Sequence, residues 1–295
     1  MTASFASLLA SASVEVSSRG HQLQELRENF AGGTEVTITF LPGDNFRTNV
    51  ETATALRRLG YEPVPHIAAR EIPSREGLSD FLARLRGEAD VRRVLLIAGD
   101  VAAANGPFKS SRDIAATGLL EAHGIARVSV AGHPEGHPYL DEAASFRGLQ
   151  GWRDWARERN VHIDVVTQFC FEGAPILKFL GELSARDIDL PVIVGLAGPA
   201  TPATLTKFAL RCGIGNSMRA LRRQIGRYGR LLIDTGPDDV MHALEAAPSA
   251  ATSAIAGFHL FPFGGLRKSA VWLRDYPAAA HHASQPPPSS THPNP

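Results

Sequence analysis

Two short motifs, each directly after a β-branched run, contain side chains well suited to chemistry. His-Pro-Glu-Gly-His-Pro at 133–138 follows the apolar run 128–131, and Thr-Gln-Phe-Cys-Phe-Glu at 167–172 follows the run 163–166. Polar groups are unusual where a buried strand ends, and α/β folds keep their active sites at such ends. We therefore expect the chemistry of this chain at strand ends of this kind.

Polar residues also follow the other predicted strands, and they form a ring if the strands close into a barrel. They are Glu15, Thr39, His66, Asp100, His133, Glu135, Gln168, His259 and Arg267. Glu15 is flanked by Val14 and Val16, so an inward-facing carboxyl group has a raised pKa and can donate a proton near neutrality. The alternative is that Glu15 faces outward onto a helix and pairs with an arginine.

Histidine and glutamate are metal ligands, but the prolines between His133, Glu135 and His137 argue against a metal site. They fix an extended loop in which alternate residues tend to point in opposite directions, so we expect no metal. No phosphate-binding loop and no Gly-x-Gly-x-x-Gly motif follows a strand. A flavin in a barrel would instead use strand-end loops, helix N-termini and scattered basic side chains.

Alternation of strands and helices predicts the elements that position these residues. The predicted strands are 12–16, 35–40, 62–67, 94–98, 126–131, 162–167, 190–196 and 254–260. The predicted helices are 45–59, 74–86, 112–124, 175–186, 202–212, 216–228 and 238–246. Eight such units predict a single (β/α)₈ TIM barrel over residues 1–275. The Pro- and Ser-rich segment 276–295 is predicted to be a disordered tail.

Composition excludes several classes of protein. The 295 residues are 44% hydrophobic, and 30 basic side chains balance 30 acidic ones, unlike the basic footprint of a nucleic-acid binder. The 2 cysteines are too few for a disulfide framework or a cysteine-type zinc site, so we expect the reducing cytoplasm. No apolar run approaches the ~18–20 residues of a membrane helix, so no membrane partner is expected.

The order of these motifs resembles the methylenetetrahydrofolate reductase family, in its short bacterial flavoprotein form, from about Ser13 to Leu273. The strongest markers are segments 131–138 and 167–172. Supporting markers are 13–15, 36–39, 62–66, 99–100 and 257–261, each on a successive strand.

The resemblance implies an oxidoreductase that interconverts 5,10-methylene- and 5-methyltetrahydrofolate with FAD and NADH or NADPH, in one-carbon metabolism and methionine biosynthesis. Glu15 would be the acid that protonates folate N10. Asp100 would be catalytic beside pterin and flavin, while Gln168 and Arg267 would bind the folate. The residues implied for flavin binding are Thr39, His66, Asp100, Ser111, His133, Glu135, His137, Arg153 and Arg157.

Three positions depart from the family pattern where the flavin is expected. Segment 40–44 replaces a Gly/Ala-rich loop, Ala98 replaces an arginine and His133 replaces a tyrosine. These changes put FAD affinity in question and lead to the hypothesis that the enzyme works in the oxidative direction. The family also implies a homodimer or homotetramer.

Three alternatives stay open on the sequence. A flavin-free pterin-binding methyltransferase would keep the folate site. A metal-dependent barrel hydrolase or lyase would use His133, Glu135 and His137. A non-catalytic folate or flavin carrier would need neither Glu15 nor Asp100.

Overall fold

A closed barrel of eight parallel strands, each paired with its neighbours in chain order, forms the core of the computed structural model. The structure describes residues 4–19, 22–41, 43–137, 140–211 and 234–283. The strands are β1 Ser13–Ser17, β2 Glu35–Thr39, β3 Glu62–Ala68, β4 Arg93–Ile97, β5 Arg127–Gly132, β6 His162–Thr167, β7 Val192–Ala197 and β8 Ile255–Phe261. The predicted (β/α)₈ TIM barrel is confirmed, and all eight predicted strands overlap observed ones.

Helices connect the strands on the outside of the barrel. They are α1 Phe5–Ala10, α2 Leu23–Asn29, α3 Phe46–Arg58, α4 Arg75–Ala89, α5 Ser111–Ala116, α6 Leu119–Ala122, α7 Glu142–Arg159, α8 Gly173–Ala185, α9 Pro202–Arg211, α10 Asp238–Ala246 and α11 Leu266–Ala283. Side-chain caps define several starts: Asn45 accepts from Thr48 N at 2.8 Å, and Ser74 accepts from Gly77 N at 3.0 Å.

The structure differs from the predicted helices at particular residues. The predicted helix 112–124 is two short helices, because Gly118 takes a left-handed φ of +71° and caps α6. The last helix continues to Ala283, past residue 276 where the tail is predicted to begin, and alanine-rich segment 278–280 favours that continuation. The predicted helix 216–228 and residues 284–295 lie outside the described residues.

Alternation along the strands separates the packing against the helices from the barrel interior. Val14 and Val16 on β1 join the large cluster that packs under the helices. Val64, Leu95 and Val166 form a separate small cluster, which the alternation assigns to the interior. One side of the barrel interior is therefore apolar at mid-height, and the opposite side is left for polar side chains. Among the described residues, no helix is long and apolar enough to cross a membrane.

Candidate active site

Charged side chains fill the amino-terminal end of the barrel interior and hold neighbouring strands together. We call Glu35, Arg93, Arg127, Ser129 and Asp164 the interior charge network. Arg93 Nη2 donates to both carboxylate oxygens of Asp164 at 2.9 Å, and its Nε donates to Ser129 Oγ at 3.0 Å. Arg93 also pairs with Glu35, which accepts from Arg127 Nη1 at 3.0 Å. These ion pairs and hydrogen bonds occupy the amino-terminal end of the interior, so the site of chemistry is expected at the carboxyl-terminal ends of the strands.

Glu15 projects into the barrel interior above this network. Its flanking valines are 0% and 2% exposed and face the helices, so alternation turns the carboxyl group inward. The side chain is 18% exposed, and burial raises the pKa of Glu15 to about 8. The outward-facing alternative is therefore wrong, and at neutral pH the carboxyl group carries a proton that it can donate.

Two buried imidazoles lie close to this acid, and both are uncharged at neutral pH. Burial lowers the pKa of His66 to about 4, and burial with smaller contributions from His66 and Arg93 lowers that of His259 to about 3. Nδ1 of His259 is 2.8 Å from Ser13 Oγ. These groups cannot hold Glu15 as a carboxylate by ion pairing, because they are themselves neutral.

Some interior polar atoms have no hydrogen-bond partner among the described residues. Two such atoms are Nε2 of His66 and Oγ1 of Thr37. Residue Thr37 on β2 pairs in register with Glu15 on β1. Buried polar atoms without partners are rare in folded proteins, so each of these is available to a ligand atom or an ordered water.

The carboxyl ends of the strands and their following loops form the barrel mouth, where Thr39 and Asp100 lie as predicted. Thr39 Oγ1 donates to Val16 O at 3.4 Å. Asp100 is exposed after β4, next to Gly99, whose φ is +94°. An added Cβ at Gly99 would lie 3.3 Å from Ala68 Cβ, so the left-handed turn and the close approach both favour glycine there.

The loop after β5 brings His133, Glu135 and His137 to the mouth. The two imidazole rings meet edge to face with centroids 4.7 Å apart, and burial followed by the His137 charge lowers the pKa of His133 to about 4. Glu135 shares a hydrogen bond with the Cys170 thiol, whose pKa is raised mainly by burial and also by that carboxylate. Within the described ranges, no three His, Cys, Asp or Glu side chains converge as metal ligands do.

Gln168 follows β6 at the mouth and is half-buried. The backbone N–H of Gln168 donates to Gly132 O at 2.8 Å, which ties the end of β6 to the end of β5. Its side-chain Oε1 accepts from Phe169 N at 3.2 Å, an arrangement that leaves the side-chain NH₂ group as a donor for a ligand.

Aromatic side chains beside Gln168 form a feature that our sequence reasoning missed. The phenylalanine cluster consists of Phe169, Phe171, Phe208, Phe261 and Phe263. The rings of Phe208 and Phe263 stack at 4.1 Å, and Phe169 meets Phe263 edge to face at 4.7 Å. The Phe-x-Phe spacing at 169–171 and 261–263 was the available signal. The cluster gives the β6–β8 side of the mouth an apolar wall.

Two predicted flavin residues lie elsewhere. Arg153 Nη1 donates to Asp187 O at 2.6 Å, and Arg157 Nη2 pairs with Asp189 at 2.7 Å. Both aspartates belong to the segment entering β7, at the amino-terminal end of the barrel. The structure thus places both side chains at that end, because the last two turns of helix α7 lead away from the mouth.

The remaining predicted residues lie at the starts of mouth-side helices. Ser111 is the first residue of α5 and is half-buried. Arg267 lies near the start of α11, where its backbone N–H donates to Glu25 Oε1 at 2.9 Å and its side chain is exposed. Both positions are compatible with a ligand at the mouth.

The residues at the mouth fit a flavin on their own chemistry. His66 Nε2 and Thr37 Oγ1, which have no partner among the residues described, and the Thr39 hydroxyl offer hydrogen bonds to ring nitrogens and carbonyl oxygens. Gly99 presents bare backbone where a Cβ would press on Ala68. These residues, with His133, are those that would hold the ring system.

Comparison with known proteins gives a consistent similarity. No family model matches the sequence. The 5,10-methylenetetrahydrofolate reductase of Pectobacterium carotovorum subsp. carotovorum is 29% identical over 190 residues, which are 64% of this chain and 60% of that protein. The enzyme of the same name from Salmonella typhimurium is 27% identical over 190 residues, with the same shares. The chain therefore spans about 60% of the length of these curated relatives.

Solved structures of similar shape are more distant in sequence. Dihydropteroate synthase from Thermus thermophilus has a TM-score of 0.46 and 15% identity, and covers 90% of this chain and 92% of its own. An endo-β-1,3-glucanase from Amycolatopsis mediterranei has a TM-score of 0.46 and 14% identity, covering 89% of this chain and 98% of its own. The similarity in sequence is thus to 5,10-methylenetetrahydrofolate reductases, and it supports the resemblance carried by the strand-end motifs.

Proposed function

We propose that this chain is a flavin-dependent 5,10-methylenetetrahydrofolate reductase that interconverts 5,10-methylene- and 5-methyltetrahydrofolate with NAD(P)H. The observation that carries the proposal is Glu15, a buried carboxyl group that keeps its proton at neutral pH inside a barrel whose mouth is lined with hydrogen-bonding groups. The similarity to two reductases of that name supports the same substrate.

Glu15 acts as the general acid of the folate step. Its proton goes to N10 of the substrate, the N10–methylene bond breaks, and an N5 iminium forms that can accept a hydride. A carboxyl group with a pKa near the working pH is suited to this task, because it is protonated before the step and is stable as a carboxylate after it. The neutral His66 and His259 do not remove that proton beforehand.

Asp100 and Gln168 orient the pterin. The exposed carboxylate of Asp100 accepts hydrogen bonds from the pterin amino group and ring N–H, and the Gln168 amide donates to a ring acceptor. The phenylalanine cluster excludes water from the β6–β8 side of the mouth.

Thr39, His66, Asp100 and His133 hold the flavin in this proposal. A flavin bound there supplies the two electrons that the carbon centre gains. The chain's own part is to orient the substrate and deliver the proton. Ala98 and His133, which depart from the family pattern, support the further proposal that the enzyme works in the oxidative direction. We also propose that the protein is a homo-oligomer and acts in one-carbon metabolism.

The visible spectrum of the purified protein, reconstituted with FAD and titrated anaerobically, tests the proposal. Flavin bands that bleach with NADH or NADPH and return with 5,10-methylenetetrahydrofolate support it. A protein that binds 5-methyltetrahydrofolate but no flavin would favour the methyltransferase alternative instead. Comparing initial rates with 5-methyltetrahydrofolate and an electron acceptor against the forward rates tests the oxidative direction; a strong preference for reduction contradicts it.

A further inference from the structure

Arg70 is a cation at the barrel mouth whose guanidinium, in the described part of the chain, is held by backbone carbonyls. It follows β3 in a short 3₁₀ helix, Ala69–Glu71, and its backbone N–H donates to Ala98 O at 2.9 Å. The guanidinium donates through Nε to Lys109 O at 3.0 Å and through Nη1 to Val101 O at 3.4 Å. Both acceptors are neutral carbonyls at opposite ends of one loop.

No carboxylate in the described part of the chain forms an ion pair with Arg70, whose guanidinium donates to two backbone carbonyls instead. Arg19, by contrast, pairs with Asp44, whose side chain is 2% exposed. Arg70 has five N–H donors and uses two of them on the loop carbonyls. The three remaining donors have no partner among the described residues and can bind a ligand.

The charge of Arg70 reaches the loop after β5 as well. Burial, and after it the charge of Arg70, lowers the pKa of His137. His137 in turn contacts the ring of His133. Arg70 therefore lies on the β3–β5 side of the mouth with the proposed flavin residues, across from Gln168 and the phenylalanine cluster on the β6–β8 side.

We propose that Arg70 binds the diphosphate of a dinucleotide cofactor at the β3–β4 edge of the mouth. This inference rests on the proposed function and adds a cofactor-binding residue to it. A guanidinium held in one orientation matches a phosphate with paired N–H groups, which is a stronger contact than a point charge offers. FAD and NAD(P)H both contain a diphosphate, and this diphosphate is anionic in each of them.

Binding measurements on Arg70→Gln and Arg70→Lys test the inference without turnover. FAD and riboflavin are titrated by flavin fluorescence and ADP by calorimetry, at constant ionic strength. We expect Arg70→Gln to weaken FAD and ADP by about tenfold or more, with riboflavin unchanged and Arg70→Lys in between. Arg57→Gln is the control for losing an arginine away from the mouth: Arg57 donates to Ala89 O at 2.9 Å and Asp90 O at 3.1 Å and pairs with Glu62, at the other end of the barrel.

The outcomes separate this inference from the proposed function. Equal loss of FAD and riboflavin affinity in Arg70→Gln would show that Arg70 only holds the loop, and unchanged FAD affinity would overturn the inference while the reductase proposal stands. If no flavin binds but ADP binds through Arg70, the reductase proposal fails and the inference stands. If neither FAD nor ADP binds the unmodified protein, both are wrong.

Discussion

Oε2 of Glu15 lies 3.9 Å from Nε2 of His66 in the barrel interior, and neither group is charged at neutral pH. The distance is too long for a direct hydrogen bond. An acid that meets a base in this way usually transfers its proton, but burial here opposes both charges. The proton therefore stays on Glu15, where an incoming substrate can take it.

The raised pKa of Glu15 makes the stability of the protein depend on pH. The folded-state pKa of about 8 lies above the ordinary 4.5, so its contribution is complete below about pH 4.5 and is lost as the pH rises through 8. The Glu15→Gln variant has no carboxyl group to ionise at this position, so it does not lose this stability as the pH rises. We expect its free energy of unfolding, relative to the unmodified protein, to increase by about 1 kcal/mol or more between pH 6 and pH 9.

Chemical denaturation at each pH measures this difference. A difference that does not change across that range would mean that the carboxyl group titrates near its ordinary pKa, and the donor role would lose its physical basis.

Asp164 and Glu35 balance the charges of Arg93 and Arg127 in the interior charge network, so removing Asp164 leaves one buried positive charge in excess. Asp164 is 1% exposed and binds Arg93 through both oxygens at 2.9 Å. We expect Asp164→Ala to lower the free energy of unfolding by about 3–5 kcal/mol. Asp189→Ala, which breaks an exposed pair with Arg157, should cost about 1 kcal/mol or less. Equal costs for the two variants would contradict the structural role of the interior charge network.

Gln168→Ala should separate folate binding from the reaction with NAD(P)H. Loss of the amide removes hydrogen bonds to the pterin, so the dissociation constant for 5-methyltetrahydrofolate should rise about tenfold. Flavin reduction by NAD(P)H should keep its rate. Gln168→Glu, which keeps the shape and loses the NH₂ donor, is the matched control and should be similarly impaired. A variant with normal folate affinity would remove Gln168 from the substrate site.

The sequence predicted the barrel well because its strands are regular. β-branched runs with turn residues after them placed β6 at His162–Thr167, as observed. Helix α1 and helix α2 were not predicted, because they are short segments of 6 and 7 residues that owe their position to packing. The break at Gly118 depends on one left-handed residue inside an otherwise helical pattern.

The site was predicted in part, for physical reasons that can be named. Polar residues after strand ends reach the mouth whatever the helices do, as His133 and Gln168 show, and alternation along β1 turns Glu15 into the barrel interior. Arg153 lies on a long helix, and a basic residue there points to either end of the barrel depending on its turn, which sequence spacing alone does not decide. Arg70 was missed because its contacts with two backbone carbonyls, and with no carboxylate among the described residues, are properties of the folded chain.

The central claim is that Glu15 gives its proton to the folate, and rapid-mixing measurements of the two half-reactions in Glu15→Gln test it most directly. We expect flavin binding and flavin reduction by NAD(P)H at near-normal rates, and reoxidation by 5,10-methylenetetrahydrofolate slowed by about 10²–10⁴-fold or more. In the unmodified protein that second rate should fall as the pH rises through about 8. Near-normal reoxidation by folate in Glu15→Gln would contradict the account.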